Sequence, residues 1–197
     1  MIIHNCIQGT DERFAFRKGK MTASHATAIG NAWKWLETYI IDLMSEYYST
    51  GERTLYTNEH IERWNELEPL AREIYELTTW TKVQEVGFIE YNEYVWCSPD
   101  WLVWDNGGIE IKSQGDKKHF QMLLDWKIDP WYIRQVQMNL LITKREWRDF
   151  VSYNPNYEKA LIVQRIYPDE KKFEQLEQGF LKGIELILDI KKTVWTL

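Results

Sequence analysis

An α/β domain with a central mixed β-sheet flanked by helices is the fold class the sequence predicts. Three observations predict it. Helical periodicity recurs in four segments, strand-like segments with short turns lie between them, and no repeat, low-complexity tract or Gly/Ser linker divides the chain. The 197 residues, 44% hydrophobic and 27% charged, are enough for one core, so residues 1–197 are expected to form a single domain.

In order, residues 22–48 read as helix broken at Gly30 and Asn31, where Gly ends one helix and Asn caps the next. Residues 58–77, "NEHIERWNELEPLAREIYEL", read as a second helix capped by Asn58. The period then changes, and "VQEVGFIEY", "YVWCSPDWLVW" and "GIEIKS" carry strand-like content. Asp129 and Pro130 open a helix as cap and first-turn residue. The segments "WRDFVSY" and "ALIVQRIY" read as two more strands, and a last helix runs from about Pro168 to Lys192.

Composition removes several function classes. No window approaches about 18 uninterrupted apolar residues, so no membrane span is expected. The opening "MIIHNCIQGTDER" meets acids too early for a signal-peptide core, which predicts a cytoplasmic protein. Cys6 and Cys97 are too few for a four-thiolate zinc or iron–sulfur site and are expected as free buried thiols. A net charge of −6 argues against a uniformly basic nucleic-acid binder but allows a local basic lining around an acidic metal site. The 11 Trp and 11 Tyr are expected mainly in core and interfaces.

The stretch "CSPDWLVWDNGGIEIKS", residues 97–113, carries the chemistry. In a strand, Glu110 and Lys112 share a face and Ile111 points away. A carboxylate that holds Mg²⁺ beside an ammonium that orients water is what phosphodiester cleavage needs. Asp100, from the preceding strand, joins that face only if the turn has odd length. The expected register pairs Trp104 with Gly108 across Asp105-Asn106-Gly107, with Gly107 left-handed, Leu102 opposite Glu110 and Asp100 opposite Lys112. An E-x-K pair on a solvated strand face would read the same way in letters. The chain contains such a lookalike, "YPDEKK", residues 167–172; there Asp169 and Glu170 are adjacent and read as helix-start residues.

Other residues are ambiguous alone. Glu68 lies near the apolar stripe of its helix with Pro69 after it, and either meets a metal or pairs with Arg72 at i,i+4. "FRKGKMTAS" sets Arg17 and Lys20 before a helix start with Thr22 and Ser24, either a phosphate pocket or ordinary capping. Tyr132, Gln135 and Asn139 form a polar line, either substrate-facing or the helix's wet face. His25 and His119 read as structural.

Together, "RKGKMTAS", "ELEPLAREIYE", "CSPDWLVWDNGGIEIKS", "YIRQVQMNLLIT" and "FVSYNP" resemble, in order, the lambda-exonuclease family of phage recombination nucleases. That family is the viral-recombinase branch of the PD-(D/E)-x-K superfamily, and the resemblance implies a restriction-endonuclease-like core. It implies Mg²⁺-dependent 5′-to-3′ exonuclease action on linear double-stranded DNA, with Mn²⁺ able to substitute and two ions per site. The products would be mononucleotides and a 3′ single strand for an annealing protein. It implies Asp100 and Glu110 as metal ligands, the Ile111 carbonyl as a third, Lys112 as the lysine of catalysis, and Glu68 joining the metal site. Arg17, Ser24, Ser98 and Gln135 match positions around the 5′-phosphate, and Ile61 falls near a duplex-end wedge. A homotrimeric ring around DNA is also implied. Trp64 in "RWNELEPLAR", where the family has Gly, and the absence of Pro in "KSQGDKK" depart from the pattern on the substrate side. An endonuclease of the same superfamily and a non-catalytic DNA-end-binding scaffold are the competing readings.

Overall fold

Among the described residues, apolar positions at strand and helix spacing assemble into two sheets and the helices named below. The computed structural model describes residues 2–4, 15–31, 34–50 and 59–196, with residues 59–65 described in backbone only. The elements are β1 (Ile2–His4), β2 (Met21–Thr22), a 3₁₀ turn (Ala23–His25), α1 (Ala26–Gly30), α2 (Lys34–Tyr48), α3 (Glu59–Thr79), β3 (Val83–Glu85), β4 (Phe88–Asn92), β5 (Val95–Cys97), β6 (Trp101–Val103) and β7 (Gly107–Ser113). There follow α4 (Asp116–Asp125), α5 (Pro130–Thr143), β8 (Arg148–Tyr153), β9 (Leu161–Ile166) and α6 (Glu170–Trp195). The α/β class and helix-flanked mixed sheet stand as expected.

A second sheet accompanies the expected one. A five-stranded sheet, β3-β6-β7-β8-β9, lies beside a four-stranded one, β1-β4-β5-β2. Each long strand-like segment is split between them. "VQEVGFIEY" divides at Val86–Gly87, and "YVWCSPDWLVW" divides at Ser98–Pro99–Asp100. Pro99 has no N–H to continue a ladder, so the chain leaves one sheet there and enters the other. Within the larger sheet β7 and β8 run parallel and the other neighbours antiparallel. The β7–β8 crossover carries α4 and α5, as a parallel connection requires. The helix α4 was not expected from the sequence.

Helix caps follow the expected chemistry. Asp129 accepts from the Trp131 N–H at 2.9 Å with Pro130 beside it, and Asp169 accepts from the Lys172 N–H at 3.1 Å. Asn58 and Cys6 lie outside the described residues, whereas Cys97 is buried and free, and burial pushes its thiol up to about 12.

Both faces of the larger sheet are covered. Trp101, Val103, Ile109 and Ile111 pack with Val151 and Tyr153 against Ala71 and Tyr75 of α3. On the other face Phe150 and Ile162 pack against Met122 of α4 and Val136 and Leu140 of α5. A third cluster joins α1, α2 and α6 to the smaller sheet through Ile29, Ile40, Phe180 and Val95. There α6 comes so close to α1 that a Cβ on Gly179 would sit 2.1 Å from the Ile29 carbonyl oxygen.

Candidate active site

The β6–β7 hairpin delivers three polar side chains to one face, in a register two residues from the one expected. Trp101 pairs with Ile109, Leu102 with Gly108 and Val103 with Gly107, so the turn is Trp104-Asp105-Asn106. The left-handed residue is Trp104, at φ 45°, and not Gly107. Gly107 is glycine for a different reason: the Trp147 ring lies within 2.1 Å of where its Cβ would be. A shift of two keeps every side chain on its face. Continued by one residue, it sets Asp100 opposite Glu110.

Both carboxyls are buried, with Glu110 1% and Asp100 8% exposed. Lys112 Nζ lies 2.8 Å from Glu110 Oε1. From α5, Gln135 donates to the same oxygen at 2.5 Å, while Asn139 donates to Oε2 at 3.1 Å. Arg148 Nη1 stands 3.8 Å from Oε2 and donates to the Ile109 carbonyl at 3.1 Å. Asp100 Oδ2 accepts from the Ile111 N–H at 2.8 Å. In extended backbone a residue's N–H and C=O leave by the same edge, so the Ile111 carbonyl also faces the gap where β6 has not yet begun.

The electrostatics follow from that crowding. Burial, and then the facing Glu110, push the Asp100 carboxyl up to about 7, with Lys112, the Ile111 N–H and Arg148 pulling the other way. For Lys112 burial alone would lower the pKa, but Glu110 and Asp100 together hold it above its ordinary value. Its ammonium also lies 5.6 Å from the Tyr132 ring centre. A divalent cation with oxygen ligands fits this donor set: two buried carboxyls facing one another, one with its charge opposed, and a backbone carbonyl at their edge. Among the described residues, however, no three His, Cys, Asp or Glu side chains are gathered as metal ligands.

Glu68 is buried on α3, the helix whose Ala71 and Tyr75 pack on the opposite sheet face. Arg72, its alternative partner, has its guanidinium 5.9 Å from the Trp101 ring. Ser98 sits in the link between the two sheets and donates to the Gly87 carbonyl at 3.4 Å. Ser24 is exposed on the 3₁₀ turn, 3.2 Å from both Thr22 Oγ1 and His25 Nδ1. Arg17 lines a separate cleft of about 690 Å³ with Lys20, Thr22, His25, Tyr39 and Trp131. His25 stacks on Tyr39 at 4.2 Å, and burial followed by Arg17 lowers its pKa. Buried His119 is fixed at both nitrogens, by Ser152 and by the Lys159 carbonyl, each at 2.9 Å. The Ile61 side chain lies outside the described residues.

Sequence reasoning missed Arg148 as a member of the site and left Asn139 on a possible wet face. Residues 13–146 match the YqaJ-like viral recombinase domain. The chain belongs to that family. It is also similar over 95% of its length to an alkaline exonuclease from Laribacter hongkongensis, covering 99% of that chain at 30% identity with a TM-score of 0.82. The same enzyme in complex with dAMP superposes with a TM-score of 0.83. A phage-related exonuclease from Haemophilus somnus 129PT shares the fold at 14% identity and a TM-score of 0.66, over 89% of this chain and 96% of that one. No curated protein matches the sequence. Among the described residues, no helix is long and apolar enough to cross a membrane.

Proposed function

We propose that this family member is a Mg²⁺-dependent exonuclease that degrades one strand of linear double-stranded DNA from the 5′ end and releases mononucleotides. The observation that carries the reading is the shared face of Asp100, Glu110 and Lys112 at the mouth of a two-stranded hairpin. The similarity to an exonuclease whose structure holds dAMP, a mononucleotide, supports it.

In this reading Asp100, Glu110 and the Ile111 carbonyl hold the ion, and Glu68 contributes through water. An ion held by these residues would supply Lewis-acid polarisation of the phosphodiester and stabilisation of the leaving oxygen. Lys112, held charged by its two carboxylate neighbours, donates to the attacked phosphate and offsets the charge that grows on it. Gln135, already on Glu110, turns its amide between that carboxylate and the substrate. Arg17 and Ser24, with Ser98, receive the 5′-phosphate, and Ile61 wedges the duplex end. Mn²⁺ substitutes for Mg²⁺, and two ions serve each site.

A homotrimeric ring in the cytoplasm, with basic residues lining its channel, would reconcile the net charge of −6 with DNA binding. The 3′ tail would pass to a single-strand annealing protein. The test is linear duplex DNA labelled at either end, with and without 5′-phosphate, beside the closed circle, in Mg²⁺, Mn²⁺ and chelator. Metal-dependent mononucleotide release from 5′ ends, with the circle spared, is the expected result. Cutting of the circle would favour an endonuclease, and binding without cleavage in any metal would favour the scaffold.

A further inference from the structure

The two oxygens of Glu110 have different kinds of partner. Oε1 takes Lys112 and Gln135, which are both partly exposed and reach it from the open side. Oε2 takes Asn139 at 3.1 Å and faces Arg148 at 3.8 Å, and those two residues are 0% and 1% exposed. Arg148 belongs to β8, one strand away. To reach the Ile109 carbonyl its side chain crosses β7 at Gly108, where a Cβ would lie 2.9 Å from Nη2. Gly108 is therefore the gap that lets the guanidinium lie beside Glu110.

This arrangement costs stability. Arg148 Nη2 and Asn139 Oδ1 are buried with no hydrogen-bond partner. Neither helix nor sheet formation asks for an arginine at this depth. A fixed charge and amide behind one carboxylate oxygen, however, leave the other oxygen pointing outward.

We propose that Arg148 and Asn139, passing through the gap at Gly108, clamp Glu110 by Oε2 so that Oε1 is the oxygen offered to a divalent ion. The proposal rests on the reading of Asp100 and Glu110 as metal ligands. Lys112 and Gln135 are the exchangeable partners of Oε1, released toward substrate when the ion arrives, whereas Arg148 and Asn139 stay in place. They are positioning residues, acting on the ion through Glu110.

Direct Mn²⁺ binding to the metal-free protein tests the clamp, read by electron paramagnetic resonance and by calorimetry. Wild type, Arg148→Met, Gly108→Ala and the double variant are compared, with the metal-free thermal midpoint recorded for each. Gly108→Ala removes no charge and displaces the guanidinium, so it carries the test if Arg148→Met fails to fold. Loss of such a supporting partner typically weakens metal binding about 10- to 100-fold. The expected result is at least about 10-fold weaker binding in each single variant and no further loss in the double, because both remove one device. Unchanged Mn²⁺ affinity with a lowered thermal midpoint would overturn the clamp and leave Arg148 as a packing residue. Additive losses would also overturn it. A wild-type protein that binds no Mn²⁺ would overturn the metal-site reading itself, an outcome distinct from the other two.

Discussion

Pro99-Asp100 and Pro168-Asp169 each precede a Glu-x-Lys pair, Glu110/Lys112 in one case and Glu170/Lys172 in the other, and the two regions become different objects. In the first, Asp100 accepts from the Ile111 N–H, eleven positions on and across a chain reversal, and both acids are buried on a sheet face. In the second, Asp169 caps α6, Glu170 enters its first turn, and Lys172 pairs back to Asp169 at the half-exposed surface. The largest cause of the Asp100 shift is burial, which raises it; hydrogen bonding from Lys172 lowers Asp169. Shared letters specify chemistry only when two strands bring them together out of water.

The contrast can be broken by mutation. The largest effect is expected at Glu110→Ala, which removes a proposed ligand and leaves Lys112 and Arg148 without their shared carboxylate. Cleavage should fall to background, and stability by about 3–5 kcal/mol, as when a buried ion pair loses one member. Denaturant unfolding and nucleotide release check the two halves separately.

Asp100 sharpens the contrast through pH. Its folded carboxyl titrates near 7 against an ordinary value of 3.8, so between those values the folded state holds the proton more tightly than the unfolded chain. Its contribution to metal-free stability is therefore full below about pH 4 and lost as pH rises toward 7. Asp100→Asn should flatten that slope in thermal melts, and added Mg²⁺ should oppose it in the wild type. A metal-free protein that gains stability from this residue across the same interval would contradict the assignment.

The smallest effect is expected at the lookalike. Asp169→Ala should cost about 0.5–2 kcal/mol through the lost helix cap, with the cleavage rate unchanged. A loss of activity there would mean that α6 takes part in the site.

Much of this was legible in the residues. Strand alternation placed Asp100, Glu110 and Lys112 on one face, and Asp129-Pro130 marked the start of α5. The register was not legible, because Gly107 looked like the left-handed end of the turn and Gly108 like the first paired residue after it. The structure uses both to admit side chains from β8 and the residue before it, Trp147 and Arg148, contacts that lie about forty positions away in the chain. Asn139 was ambiguous for a related reason: helix periodicity cannot tell a wet face from one turned toward a buried carboxylate. The N-cap of α4 is Gly115, which has no side chain to cap with, so the start at Asp116 carried no capping signal. The second sheet hid behind continuous apolar runs that Pro99 and the Val86–Gly87 break divide.

The most direct measurement of the central claim sets Lys112→Ala against Lys172→Ala. Both would be assayed for mononucleotide release from linear duplex DNA in Mg²⁺, with folding checked by thermal melt. The account predicts that Lys112→Ala loses at least about 100-fold in rate, the scale of a lost group that donates in the transition state. It predicts that Lys172→Ala cleaves as wild type does. Wild-type cleavage by a folded Lys112→Ala protein would contradict it.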